Sequence, residues 1–157
     1  MAVTKVLARN WKLEIQKSGN SYVAIKGLNT LSFSRSKSDT DTTDFDSNGH
    51  TEHMVTSRSQ EISAEGYYLV DTINGTRDEG QKLVEALAEL TGASSLGTFR
   101  LTNPAGKTRV FQASANIGDI GGGNDDATSW GVTLTVSGAM GEETEATMVV
   151  GAEAKTK

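Results

Sequence analysis

Residues 44–49, Asp-Phe-Asp-Ser-Asn-Gly, are the part of this chain whose side-chain types and spacing most directly suggest chemistry. The run matches the first half of the calcium-binding loop D-x-D-x-[DN]-G, and a ninth-position carboxylate follows it. The calcium candidates are Asp44, Asp46, Asn48 and Glu52. The loop also requires a bidentate carboxylate at its twelfth position, where this chain has Val55. Because the ligand set is incomplete, we predict a solvated turn without metal or cofactor and keep a weak calcium site as the alternative.

Two histidines close to this run are the other metal-ligating candidates. His50 and His53 flank Glu52, and two imidazoles with a carboxylate are ligands that suit zinc. The pair lacks the i, i+4 placement on a helix that aligns two ligands, so we predict exposed histidines. The glycine-rich stretch 118–126 fits neither phosphate-loop pattern and is predicted to connect two strands. No nucleophile elbow or triad order is present, so we predict that the protein is not an enzyme.

Composition narrows the function further. The chain has 157 residues, 20 acidic and 15 basic, for a net charge of −5. An acidic chain without a basic cluster is a poor candidate for holding nucleic acid, because phosphate neutralisation needs Lys and Arg. The absence of cysteine excludes disulfides and thiol catalysis. No apolar run approaches the ~18 residues of a membrane span, and no secretory signal is evident, so we expect no membrane partner and synthesis and assembly in the cytoplasm.

The elements that must position these residues are mostly strands. Trp11, Leu13 and Ile15 alternate with polar residues, and 11–26 reads as a hairpin. Further strands are predicted from Leu31, over 61–70, around Phe99 and Leu101, and at 108–115 and 132–136. This pattern predicts a mainly β fold with one α-helix, a β-sandwich or small barrel with a flanking helix, in a single domain over 1–157.

The predicted helix covers residues 76–90. Thr76 and Glu79 fit a capping box, which places the helix start at Thr76. Gly80 lies inside the helix and suggests close packing there. The predicted core stripe consists of Leu83, Val84, Leu87 and Leu90.

The stretch from 35 to 60 is unusually polar. Within it, residues 38–57 are predicted to be an extended acidic loop, a length that is uncommon inside a compact domain unless it serves a function. Arg35, Lys37 and Arg58 flank the acidic residues and are expected to pair with them or with a neighbouring chain.

Three segments resemble a known family in their order and spacing. They are 31–60, with the excursion SDTDTTDFDSNGHTEHM; 61–90, with EISAEGYYLVDT and RDEGQKLVEALAEL; and 127–140, ATSWGVTLTVSGAM. Together they are similar to the major tail proteins, or tail tube proteins, of long-tailed bacteriophages and of related phage-like particles. The resemblance covers roughly residues 5–140.

The resemblance implies a structural virion protein that forms hexameric rings stacked into the tail tube. DNA would pass through the lumen without specific binding, and the partners would be the tape measure, tail terminator and baseplate or distal tail proteins. It assigns contacts between subunits to an N-terminal arm (1–10), the 38–57 loop and a C-terminal arm (141–157). The assembly-loop residues would be Asp39, Asp41, Asp44, Phe45, Asp46, His50, His53 and Met54. Alternatives are the tube of a phage-like secretion or bacteriocin particle, or a calcium-dependent β-sandwich binding module.

Overall fold

A computed structural model describes residues 2–145 and shows, within them, one α-helix among antiparallel strands. The helix α1 spans Glu79–Ala88. The strands are β1 (Lys12–Ser18), β2 (Ser21–Ala24), β3 (Leu28–Asp41), β4 (His53–Tyr67), β5 (Val70–Asp71), β6 (Thr76–Arg77), β7 (Gly97–Thr102), β8 (Lys107–Ile117), β9 (Ser129–Ser137) and β10 (Thr144–Glu145). The predicted fold class is confirmed. No helix in this part of the chain is long and apolar enough to span a membrane.

The main sheet has the strand order β2-β1-β7-β8-β9-β4-β3, with β10 paired to β8. Its two outermost strands, β2 and β3, are consecutive in sequence and are joined only by residues 25–27. Seven strands laid flat would place the outermost two about 29 Å apart. The four steps from Ala24 to Leu28 reach only about 14 Å. The sheet must therefore curl until its two edges approach each other, which gives a barrel-like shape.

Residues 25–27 connect the two edges by backbone hydrogen bonds. The Ile25 amide donates to the Leu13 carbonyl of β1 at 3.0 Å. The Tyr67 amide of β4 donates to the Gly27 carbonyl at 2.9 Å. The connection is thus bonded to both sides of the curled sheet and closes this end of it.

The core lies inside the curl and is built from the inward faces that the alternation predicted. Phe99 of β7 and Phe111 of β8 stack at its centre, with ring centroids 5.9 Å apart. The other fully or nearly fully buried side chains include Leu13, Ile15, Ile62, Ala64, Val84, Leu101, Ala113, Trp130, Val132 and Leu134. Val84 comes from α1, so the helix covers one side of this core.

The helix starts later than the sequence predicted. Thr76 and Arg77 form β6, paired with Asp71 and Val70 of β5, and the helix is capped by Asp78, whose side chain accepts from the Gln81 amide. The predicted Thr76 capping box is therefore wrong. The Thr76 backbone is paired with β5. Asp78, two residues later, provides a carboxylate that caps the helix equally well.

The core stripe is also shorter than predicted, because α1 ends at Ala88. Val84 is buried, and Leu83 and Leu87 pack against the core. Leu90 lies beyond the end of α1 and is 48% exposed, so its assignment to the stripe is wrong.

This difference provides a matched pair of variants. We expect Leu87→Asp to lower the free energy of unfolding by about 2–4 kcal/mol, because it removes apolar packing and places a carboxylate against the core. Leu90→Asp makes the same chemical change at an exposed site and should have little effect. Urea unfolding of both variants measures the difference, and equal midpoints would contradict the placement of Leu87.

The first turn of α1 packs directly against residues 25–27, the connection that closes the curled sheet. Gln81 is fully buried, and its Nε2 donates to the carbonyls of Lys26 at 3.0 Å and Tyr67 at 2.8 Å. Its Oε1 accepts from the Leu69 amide at 3.2 Å. A Cβ at Gly80 would lie 2.4 Å from the Ala24 carbonyl oxygen, so only glycine allows this approach, as the sequence suggested.

An ion-paired cluster attaches the second turn of α1 to β6 and β9. Arg77 donates two hydrogen bonds to the Glu85 carboxylate, at 2.8 and 2.7 Å, and its guanidinium lies over the Tyr68 ring. The Trp130 indole donates to Glu85 Oε2 at 2.7 Å. These hydrogen bonds, first that of Arg77 and then that of Trp130, lower the pKa of Glu85 below its ordinary value.

The lowered pKa predicts a specific acid sensitivity. Because the pKa of Glu85 is lower in the folded state, its contribution to stability is present above the ordinary carboxyl pKa and is lost as the pH falls through the folded value. We expect Glu85→Gln to reduce stability at neutral pH by roughly 1–2 kcal/mol, after allowance for solvent screening, and to reduce the loss below about pH 4. Unfolding curves across this range test it. The exposed neighbour variant Glu89→Gln should keep the wild-type pH profile.

Candidate assembly surface

The β3–β4 hairpin extends well beyond the barrel. β4 pairs with β9 only from Glu61 onward, whereas its pairing with β3 continues outward to Asp41 and His53. We call residues 35–60 the distal hairpin. Apart from Ser47 and the half-buried Gln60, its side chains are exposed on both faces. The distal hairpin is therefore a two-stranded arm that rests on no other part of the described chain.

The prediction of an extended loop over 38–57, followed by a strand from 61, needs correction. Residues 38–41 and 53–57 are strand, and only 42–52 form a loop, with a 3-10 turn at Phe45–Ser47. Strand prediction relies on apolar residues at every second position. This arm is exposed to solvent on both faces and carries Ser, Thr and charged residues instead. Its sequence therefore lacks the apolar alternation that predicts a strand.

The tip of the distal hairpin, by which we mean residues 38–57, contains the D-x-D-x-N-G run as a capped turn. Asp44 Oδ1 accepts from the Asp46 amide at 3.0 Å and from the Ser47 hydroxyl at 3.2 Å. Ser47 Oγ accepts in return from the Asp44 amide at 3.1 Å, and Asn48 adopts the left-handed conformation. Within residues 2–145, no group of three or more His, Asp or Glu side chains is placed to hold a metal ion. Turn geometry thus explains the spacing, and calcium binding by Glu52 and its neighbours stays a hypothesis.

The histidines and the remaining aspartates lie along the sides of the tip. His53 Nε2 is 3.7 Å from Asp39 Oδ2, and both side chains are exposed. Hydrogen bonds from Thr43 lower the pKa of Asp41, with a smaller contribution from His53. Asp41 therefore keeps its negative charge to lower pH than an ordinary aspartate. His50 is exposed and donates its amide to the Ser47 carbonyl.

The tip carries the whole excess charge of the chain. Residues 38–57 contain five carboxylates, no Lys and no Arg, and the net charge of the full chain is −5. The remaining residues are therefore balanced. The excess negative charge of the chain is thus that of the tip.

The same tip exposes large apolar side chains. Phe45 is 103% exposed and Met54 is 62% exposed. Exposure to water does not stabilise an aromatic side chain at the end of an acidic arm. Aromatic residues and Met are enriched in protein interfaces. Of the predicted assembly-loop residues, the structure thus places all on one arm, with Phe45 at its end.

Other predicted contact segments are only partly described. Residues 2–7 have no regular structure, and Val3 and Val6 are exposed. In the C-terminal arm, Gly141 bonds to Val110 and β10 pairs with β8, while residues 146–157 lie outside the described part.

Sequence reasoning missed two features of this surface. One is the outer edge of β3, which pairs with no strand in the described part of the chain. The other is Arg109 of β8, which lines a cavity together with Arg35, Lys37 and Arg58. Arg109 is remote in sequence from the other three, so only the strand order brings it to the base of the arm.

Comparison with known proteins gives a consistent result. A family model described as phage tail tube protein matches residues 10–142. No curated protein sequence matches the chain significantly.

Among solved structures, the chain resembles one from the tail of an empty gene transfer agent particle refined with C6 symmetry. The TM-score is 0.71 at 18% identity, covering 89% of this chain and 99% of that one. A chain from the native gene transfer agent virion has a TM-score of 0.68 at 17% identity, with the same coverages. A chain from the sheath–tube complex of an extracellular contractile injection system has 0.56 at 14%, covering 89% and 93%. At these identities the likeness concerns the fold.

Proposed function

We propose, since the chain belongs to the phage tail tube protein family, that its copies form hexameric rings that stack into a tube for DNA passage. The family membership makes it a structural tail tube protein of a phage or phage-like particle. The ring size, the stacking and the passage of DNA are our proposal. One observation carries it: the chain projects an exposed arm with an acidic, aromatic tip that nothing in the described chain covers.

The free edge of β3 supports lateral assembly. A long edge strand presents unpaired amide and carbonyl groups, and pairing with a neighbouring subunit removes them. Such pairing is heterologous, because the edge of one copy meets a different surface of the next, and it closes into a ring when the rotation permits. The C6 symmetry of one structurally similar tail favours six copies.

The distal hairpin supports contact along the tube. It extends away from the barrel, and its exposed Phe45 and Met54 would be covered by a neighbouring copy. The N-terminal segment, with its exposed Val3, is a further element for such contacts. We propose that the same tube contacts tape measure, tail terminator and distal tail or baseplate proteins, and that assembly occurs in the host cytoplasm.

A tube in a phage-like particle is the second candidate. It is favoured by the likeness to gene transfer agent and contractile injection system chains. Both candidates require the same ring and tube, and the genes beside this one would separate them.

Negative-stain electron microscopy of concentrated purified protein tests the proposal. We expect rings with six-fold averages and stacked tubes. A compact monomer at every concentration, shown by light scattering, would contradict it.

A further inference from the structure

We propose that the acidic tip of the distal hairpin of one copy docks into a basic groove at the root of the distal hairpin of another copy. This inference rests on the proposed tube function and names the surface that receives the tip. The groove is a cavity of about 640 Å³ where the arm leaves the barrel. Its cations are Arg35, Lys37, Arg58 and Arg109.

The groove has the chemistry of an anion receptor. None of its lining residues is acidic, and Ser36, Ser59 and Gln60 add polar groups among the cations. Arg35 is held in place over the Phe33 ring, with its guanidinium carbon 4.7 Å from the ring centroid. A planar guanidinium fixed in this way is well suited to bind a carboxylate.

Two of the cations are placed against each other. Lys37 lies directly opposite Arg58 in the β3–β4 register. Like charges at facing positions destabilise a strand pair. Neither side chain has an ion-pair partner within residues 2–145. A pair of facing cations without a counter-charge is explained if a carboxylate from outside binds between them.

The carboxylates at the end of the acidic tip, Asp44, Asp46 and Glu52, do not reach this groove in the same copy. The ladder between β3 and β4 continues from Lys37 to Asp41, with one bulge between Ser38 and Asp39. Four residues of strand, about 13 Å, separate Lys37 from Asp41 at the end of β3, and the three carboxylates lie beyond that end. The occupant must therefore come from a second copy.

The tip is the expected occupant because its negative charge is complementary to the basic groove. It holds five carboxylates and no Lys or Arg, and the Asp46 and Glu52 side chains form no ion pair within residues 2–145. A tip in the root of the next copy's arm makes a head-to-tail contact, and head-to-tail contacts propagate. Each copy would then offer one tip and one groove, and the contact would repeat along the stack.

The C-terminal segment is the competing occupant. Glu143 lines the pocket next to the groove, where its carboxylate accepts from the Asn103 amide at 3.0 Å. That carboxylate already has a partner, whereas the Asp46 and Glu52 carboxylates of the tip form no ion pair within residues 2–145. The tip is therefore the better match, and the experiment separates the two.

Charge reversal in both surfaces tests the inference. The groove variant is Lys37→Glu with Arg58→Glu, and the tip variant is Asp46→Lys with Glu52→Lys, which spares the capping Asp44. We expect each to raise the protein concentration needed for tube growth by roughly tenfold or more, because like charges then face each other. The variant with all four substitutions keeps the wild-type net charge and should recover tubes. Lys26→Glu with Lys82→Glu is the matched control at exposed sites outside both surfaces.

The outcomes separate this inference from the proposed function. If the wild-type protein forms no rings or tubes, both are overturned. If it forms tubes and the groove variant does so equally well, the docking inference alone fails. The inference is also wrong if only the groove variant fails while the tip variant assembles, which would assign the groove to another anion such as the C-terminal segment. Unchanged melting temperatures confirm that the variants are folded.

Discussion

Replacing residues 40–54 by Asn-Gly is expected to leave the barrel folded and to abolish tube growth. Asp39 and Val55 face each other in the ladder, so a two-residue Asn-Gly turn closes the shortened hairpin without changing its register. The barrel should be unaffected, because the removed residues make no part of its core. Electron microscopy and sedimentation measure tube growth, and circular dichroism with thermal unfolding measures the fold.

A matched pair of point variants refines this result. Phe45→Ala removes the apolar side chain at the end of the arm, whereas Ile73→Ala removes one that is 90% exposed elsewhere on the surface. We expect the first to weaken assembly by about 1–2 kcal/mol per contact, as loss of an interface aromatic does, and the second to leave assembly unchanged. Normal tubes from the shortened protein would show that the arm is not the assembly element.

Gln81→Leu is expected to cause a large loss of stability. Leucine has a similar volume but leaves two carbonyls without a donor and the Leu69 amide without an acceptor. Each of the three unsatisfied buried groups costs about 1–3 kcal/mol, so we expect a loss of about 3–9 kcal/mol. Chemical unfolding of the purified protein provides the measurement.

Two further variants make this prediction robust. Gln81→Glu keeps the acceptor for Leu69 but buries a carboxylate against two carbonyl oxygens, so at neutral pH it should destabilise the protein at least as much as Gln81→Leu. Lys82→Leu introduces leucine at the next, exposed position and should be nearly neutral. If all three had the wild-type unfolding midpoint, the side-chain amide of Gln81 would not be stabilising the connection at residues 25–27.

The sequence predicted the parts of this protein that depend on near neighbours in the chain. Alternation placed Leu13 and Ile15 on an inward face, and the helix was recognised from its leucine spacing. It also located the acidic segment, because charge content needs no geometry. The position of the helix start was wrong by three residues, since pairing of Thr76 with Asp71 overrides a local capping pattern.

The family and the fold class were both recognisable from these local patterns. The strand order and the curl of the sheet, which form the assembly surface, were not. Three residues joining the two outermost strands force the sheet to curl, and this is visible only once the strand order is known. The same order brings Arg109 to the root of the distal hairpin, whereas Asp44, Asp46 and Glu52 lie beyond the far end of β3. Local periodicity sets which face of a strand is buried. Pairing between distant strands sets which charges meet, and it is decided by the whole folded chain.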